Sequence, residues 1–91
     1  MDEIIRKSIV FYGWVQGVGF RYRASHAASR FGCTGWVRNE YNGSVSMEIQ
    51  GSESQIDQVS MAIEQGRFIK IENMEVTSLP VDEDERSFRV R

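Results

Sequence analysis

Apolar side chains follow two different periods in the first third of the chain. Residues 8–15 carry them at both sets of alternating positions, which is typical of a central strand with two covered faces. Residues 20–31 repeat them at helical spacing, and Gly32 suits the left-handed residue that ends a helix. We therefore predict a strand and then a helix, joined by a short glycine-rich segment.

The middle of the chain has the pattern of a β-hairpin. A strand is predicted over residues 34–40, and residues 41–43 end in Asn-Gly, which favours a tight turn. In the strand that follows, polar and apolar residues alternate strictly from Ser44 to Gln50. One face of this strand is expected to be buried and the polar face to be in water. The apolar set is Val45, Met47 and Ile49.

A second helix and another strand complete the pattern. Residues 52–55 read Ser-Glu-Ser-Gln, a capping box that opens a helix, and Gly66 is expected to end it. Residues 69–79 alternate again, with a change of phase near Asn73 that predicts a β-bulge.

The end of the chain adds one short strand. Residues 82–85 form an acidic turn that is expected to be solvated, and residues 87–91 form the strand. The order is β-α-β-β-α-β plus this strand. It predicts an α+β, ferredoxin-like sandwich with two helices on one face of an antiparallel sheet and the first and third strands in the middle. We expect residues 1–91 to be a single domain.

Composition narrows the possible partners. The net charge is -2, which argues against binding of nucleic acid, since that affinity comes from phosphate neutralisation by Lys and Arg. The single cysteine, Cys33, fits a reducing compartment. The segment Met1-Asp2-Glu3 does not begin a signal peptide, and no apolar run reaches the ~20 residues of a membrane helix. We expect a cytoplasmic, soluble protein.

The joining segment has features of an anion site. We call residues 16–21 the glycine loop; its sequence is Gln16-Gly17-Val18-Gly19-Phe20-Arg21. Consecutive backbone amides in such a loop can converge on an anion, and the helix N-terminus favours negative charge there. Arg21 adds a planar cation that matches two phosphate oxygens, although a cation opposes the helix dipole at this position. The pattern favours phosphate binding over a plain connector.

Two motifs resemble those of the acylphosphatase family. The first is residues 13–21, and the second is residues 35–39 followed by Gly43-Ser44-Val45; the ending over residues 87–91 is also similar. The resemblance spans about residues 6–91 and implies the fold predicted above. It also implies that Arg21 is the catalytic, phosphate-binding arginine, that Asn39 orients the attacking water, and that the glycine loop cradles the phosphate.

The sequence departs from the family pattern at three places, which together include four residues. Trp14 stands where arginine is frequent, Asn42 replaces a frequent aspartate, and Arg67-Phe68 follows Gly66 where prolines are frequent. These departures bear on substrate preference and stability more than on chemistry.

The resemblance implies an enzyme that hydrolyses small acyl phosphates to a carboxylate and inorganic phosphate. The leaving group is a stable carboxylate, so no general acid, metal or organic cofactor is required. We expect inorganic phosphate to compete with substrate, and a monomer with no nucleic-acid or membrane partner. One alternative is a non-catalytic module that binds an acyl phosphate such as carbamoyl phosphate. Another is a single-stranded RNA binder of the same strand order, which the polar open face of strand three disfavours.

Two residues with ring side chains, His26 and Trp36, are not expected to belong to the site. His26 lies five residues after Arg21, about 140° further round the helix, and is expected to point away from the site. Trp36 is interpreted as a packing residue.

Overall fold

The computed structural model describes residues 3–91 as one five-stranded sheet with two helices packed on one face. Met1 and Asp2, where the N-terminal segment without signal-peptide features begins, lie outside the described residues. The elements are β1 Ile4–Trp14, α1 Phe20–Arg30, β2 Thr34–Asn39, β3 Val45–Ser52, α2 Glu53–Glu64, β4 Lys70–Leu79 and β5 Phe88–Val90.

The strand order is β4-β1-β3-β2-β5, so β1 and β3 occupy the centre as predicted. The pairs formed by β1, β2, β3 and β4 are all antiparallel, but β5 pairs parallel to β2. The sheet is therefore mixed, and the prediction of an antiparallel sheet holds only for its first four strands. The difference arises because the chain crosses from β4 at one edge of the sheet to the other edge before it forms β5. There β5 runs in the same direction as its neighbour β2.

The core lies between the sheet and the helices. Phe11, Met47 and Ile49 cover the sheet side and are at most 1% exposed. In α1 the buried positions are largely alanines, which let the helix lie close to the sheet, whereas α2 contributes larger side chains. The buried helix residues are Phe20, Ala24, Ala27 and Ala28 in α1 and Ile56, Val59 and Ile63 in α2.

Turn and cap predictions are confirmed at most positions. The Ser52 hydroxyl accepts a hydrogen bond from the Gln55 amide, and the Gln55 side chain accepts one from the Ser52 amide. Gly32 ends α1 with φ +74°, and Gly43 closes the hairpin with φ +90°. The second helix stops at Glu64, slightly before the predicted Gly66.

The predicted position of the edge strand β4 and its predicted β-bulge are both confirmed. Tyr12 of β1 pairs with Asn73 and Gly13 pairs with Ile71, which leaves Glu72 as the extra residue. Its alternating pattern does not produce a buried face, however, since Met74 and Val76 are 41% and 51% exposed. The helices cover the central strands and leave this edge open.

The open face of the sheet differs most from prediction. Arg6 is only 6% exposed, and its guanidinium donates to Glu48, Gln50 and Glu85. The Gln50 side chain also exchanges two hydrogen bonds with the backbone of Asp82. Gln50 is therefore buried rather than wet, and Glu85 is paired rather than solvated, because the 82–85 turn folds over this face. Ser44, also predicted to be wet, is 3% exposed.

None of the helices in the described range is both long and apolar enough to cross a membrane.

Candidate active site

Two buried side chains anchor the glycine loop. Val15 is 1% exposed at the end of β1, and Phe20 is 2% exposed at the start of α1. The ring of Phe20 packs against Phe11, with centroids 4.8 Å apart. Val18 is partly buried against the same core. The loop is thus fixed at both ends, so its backbone, rather than the side chains of Val18 and Phe20, faces outward.

The two glycines of the loop adopt left-handed conformations. Gly17 has φ +72° and Gly19 has φ +78°, and a Cβ atom at either position would meet nothing within 4 Å. Gly19 is the N-cap of α1 and provides no side-chain cap, and the first turn contains no acidic residue. The first amide groups of the helix therefore open onto free space and can donate to an anion.

The Gln16 side chain has a role that the sequence did not indicate. Its Nε2 atom donates to the carbonyl oxygens of Glu40 at 2.7 Å and Ser44 at 2.9 Å. This side chain therefore ties the glycine loop to the β2–β3 hairpin, and only the backbone of Gln16 belongs to the loop's outward surface. The loop and the end of β2 are held together as a result.

Arg21 lies in the first turn of α1 with its side chain exposed. Its Nη1 atom donates to the backbone carbonyl of Arg91 at 3.3 Å. Arg91 is itself held in place, because its amide donates to the carbonyl of Val37 at 2.8 Å. The guanidinium of Arg21 is therefore held beside the helix N-terminus by a residue at the other end of the chain.

Asn39 is the last residue of β2 and is half-buried. It pairs with Val45, which also pairs with Phe11, so the three residues form one row across the sheet. Alternation along β2 puts Asn39 on the same face as buried Val37, the face that carries the helices. Since Gln16 binds the next residue, Asn39 lies at the end of the sheet that carries the glycine loop.

On the opposite face of β2, two arginine side chains contact the ring of Trp36. The guanidinium groups of Arg38 and Arg91 lie 5.1 and 4.7 Å from the ring centre of Trp36. Arg38 also pairs with Glu40 at 3.0 Å. Hydrogen bonds from Ser46 and Arg38 lower the pKa of the Glu40 carboxyl. Trp36 therefore packs against two arginines on the open face of the sheet and is not among the residues of the core between sheet and helices.

His26 lines a groove between α1 and α2 that Val18 and Gly19 also line, whereas Cys33 lies in the core. His26 is exposed and stacks on Tyr22, with ring centres 6.0 Å apart. Cys33 is buried, and burial raises the pKa of its thiol to about 11. Across residues 3–91, no group of three or more His, Cys, Asp or Glu side chains is arranged to hold a metal ion.

Sequence reasoning did not predict the contact between Arg21 and Arg91. Seventy positions separate the two residues, and no local pattern links them. The only signal was the family-like ending, which gave no indication of a partner.

Comparison with known proteins identifies the family. The family model described as Acylphosphatase matches residues 7–90. A protein named Acylphosphatase from Geobacillus kaustophilus is 42% identical over 86 residues, which cover 93% of this chain and 92% of that protein. The crystal structure of acylphosphatase from Bacillus subtilis has a TM-score of 0.87 at 31% identity, covering 96% of this chain and 98% of that one.

A larger protein contains a similar fold. The crystal structure of full-length HypF in its phosphate- and nucleotide-bound form has a TM-score of 0.87 at 25% identity. The match covers all of this chain but only 12% of HypF.

Proposed function

This chain belongs to the acylphosphatase family, a family of enzymes, and we propose that it hydrolyses small acyl phosphates with Arg21 and Asn39 as its catalytic residues. One observation carries the proposal. The uncapped N-terminus of α1 follows two left-handed glycines, with open space before them and an arginine in the first turn.

Phosphate binding is assigned to the glycine loop. Amides over residues 16–21 donate to the phosphoryl oxygens, and the helix dipole adds to the attraction. Arg21 exchanges its hydrogen bond to the Arg91 carbonyl for a two-pronged contact with the phosphate. The same groups stabilise the charge that spreads over the equatorial oxygens in the transition state.

Asn39 is assigned the role of orienting the attacking water. Its side-chain oxygen accepts a hydrogen bond from water and its nitrogen donates one, which fixes a single direction of attack. Its position on the helix-bearing face, at the end held to the glycine loop by Gln16, supports this role.

The reaction transfers the phosphoryl group to water. The oxygen of water bonds to phosphorus, the bond from phosphorus to the acyl oxygen breaks, and its electron pair leaves with the carboxylate. The proton of the water passes to the phosphate being formed. No metal ion or cofactor has a step in this scheme. We further propose a cytoplasmic monomer in which inorganic phosphate competes with substrate.

A binding module without turnover is the second candidate. It is favoured by the likeness to HypF, in which this fold is a small part of a larger protein. Turnover distinguishes the two, since a binding module retains phosphate affinity and hydrolyses nothing.

The test is hydrolysis of benzoyl phosphate without added metal. Arg21→Gln should reduce kcat by at least about 10²–10³-fold, the usual loss for one preorganised donor, and should weaken inhibition by phosphate. Asn39→Ala should reduce kcat while inhibition by phosphate persists. Arg86→Gln and Asn73→Ala change the same residue types at exposed positions and should leave both quantities unchanged. Near-normal turnover by Arg21→Gln and Asn39→Ala rejects the assignment.

A further inference from the structure

A groove of about 800 Å³ runs between α1 and α2 on the side of α1 away from the sheet edge that carries β5. We call it the helix groove. Val18 and Gly19 of the glycine loop are among its lining residues, so the groove adjoins the place where the phosphate is proposed to bind, although Arg21 and Asn39 do not line it. Its volume is typical of a site for a small molecule. Its main apolar side chains are Tyr22, Ala27, Phe31, Met61, Ala62 and Phe68.

Three of these side chains are strongly exposed. Tyr22 is 76%, Met61 58% and Phe68 67% exposed, and they belong to α1, α2 and the connection from α2 to β4. Exposed apolar side chains gathered around one groove can bind another apolar group. The same groove is also lined by basic side chains, those of Arg23, His26, Arg30 and Arg67. Phe68 belongs to the Arg67-Phe68 pair that departs from the family pattern, so this part of the wall differs from that pattern.

We propose that the helix groove binds the acyl part of the substrate and selects acyl phosphates with an aromatic or long aliphatic acyl group. The inference rests on the proposed function, because the phosphate must first be held by the glycine loop. An acyl group attached to that phosphate then extends past Gly19, which has no side chain to block it, toward Tyr22 and Phe68.

Three arginines of the groove contact other residues that line it, and one of them bridges its two walls. Arg23 donates across the groove to the carbonyl of Ala62 at 3.1 Å. The guanidinium of Arg67 lies 5.6 Å from the ring centre of Phe68, and that of Arg30 lies 5.5 Å from the ring centre of Phe31. The Arg23 contact joins α1 to α2 and so links the two walls of the groove, whereas each arginine–ring contact joins neighbours in the sequence. The arginines also offer a competing hypothesis, selection of acyl groups that carry a carboxylate.

The experiment compares three substrates: acetyl, benzoyl and succinyl phosphate. In Tyr22→Ala and Phe68→Ala, kcat/KM for benzoyl phosphate should fall about tenfold, chiefly through KM, as expected for loss of an apolar wall. The values for acetyl and succinyl phosphate and the inhibition by phosphate should stay within about twofold. Tyr22→Phe keeps the ring and should retain the preference for benzoyl phosphate. Tyr41→Ala removes an exposed tyrosine outside the groove and should change nothing.

Three results would overturn the inference. They are equal losses on all three substrates, a loss confined to succinyl phosphate, and unchanged benzoyl phosphate kinetics in both alanine variants. A wild-type protein that hydrolyses none of the three refutes the proposed function instead, so the two failures are distinguishable. Urea unfolding of each variant verifies that it is folded, which is expected because both side chains are exposed.

Discussion

Gln16 illustrates how a side chain in a phosphate-binding segment can serve the scaffold. Its amide nitrogen donates to two carbonyl oxygens of the β2–β3 connection, which begins just after Asn39. The two proposed catalytic residues lie on α1 and β2, and this side chain links the loop that precedes α1 to the turn that follows β2. The precision of the site should therefore depend on Gln16 as well as on the groups that contact substrate.

We predict that Gln16→Met lowers both stability and activity. Methionine has a similar length but donates no hydrogen bond. The carbonyl oxygens of Glu40 and Ser44 each lose one of two donors and keep a backbone amide, so the expected loss of stability is about 0.5–1.5 kcal/mol for each bond. The kcat/KM for benzoyl phosphate should also fall, because the loop is less firmly held. Gln16→Glu should be worse, since a carboxylate would face two carbonyl oxygens. Unchanged urea unfolding and kinetics in Gln16→Met would contradict this role.

Cys33 gives a prediction in alkaline solution. Burial raises the pKa of its thiol from 9.0 to about 11 in the folded protein. The unfolded chain therefore loses this proton first as pH rises, and the stability that the buried thiol contributes declines from about pH 9 to about pH 11. The advantage of wild type over Cys33→Ala in free energy of unfolding should be constant below about pH 9 and shrink above it. Urea titrations at several pH values measure this difference. A constant difference up to about pH 11 would show that the thiol is not shielded from water.

At the scale of elements, the two helices begin in opposite ways. The first turn of α2 is closed by the Ser52–Gln55 capping box, whereas α1 begins at a left-handed glycine with no side-chain cap. A cap stabilises a helix by pairing the amides that an anion would otherwise use. The contrast is consistent with a structural role for the first turn of α2 and a binding role for that of α1.

Ser52→Ala should destabilise the protein by about 1 kcal/mol without changing kcat or KM. The hydroxyl is lost from the cap, but α2 contacts the proposed site only through the helix groove, far from this end. Ser54→Ala, an exposed serine in the same turn, is the matched control and should have little effect. A change in phosphate inhibition for Ser52→Ala would show that the two helix ends are coupled.

Local pattern explains which elements were predictable. The buried face of β3 and the capping box of α2 depend on neighbouring residues, and both are found as predicted, whereas the polar face of β3 is partly covered. The glycine loop was recognisable for the same reason. Burial of Gln50 and the parallel pairing of β5 depend on contacts between distant segments, which no local pattern encodes. The edge strand β4 has a buried-strand pattern but lies beyond the cover of the helices.

At the scale of the whole molecule, Arg6 joins three parts of the chain. Its guanidinium pairs with Glu48 of β3 at 2.9 Å and with Glu85 of the 82–85 turn at 2.8 Å. The chain from this turn leads directly into β5 and then to Arg91, which contacts Arg21. The buried pair therefore secures the segment that positions the far end of the site.

Arg6→Met should be strongly destabilising, by about 3 kcal/mol or more, because two partly buried carboxylates lose their cation. Urea unfolding measures the loss. Arg38→Met, which breaks an exposed pair with Glu40, is the control and should change stability little. Equal effects of the two substitutions would mean that the pairs of Arg6 contribute no more than a surface contact.

The position of Arg91 bears on how the protein should be produced. Its carbonyl touches Arg21, so any peptide fused after it would emerge beside the proposed catalytic centre. The first residues of β1 lie at the opposite end of the sheet, where Ile4 pairs with Ser52. A purification tag or reporter is therefore better joined to the amino end. If a carboxyl-terminal fusion binds phosphate poorly, the cause is expected to be its linker, which would lie beside the site.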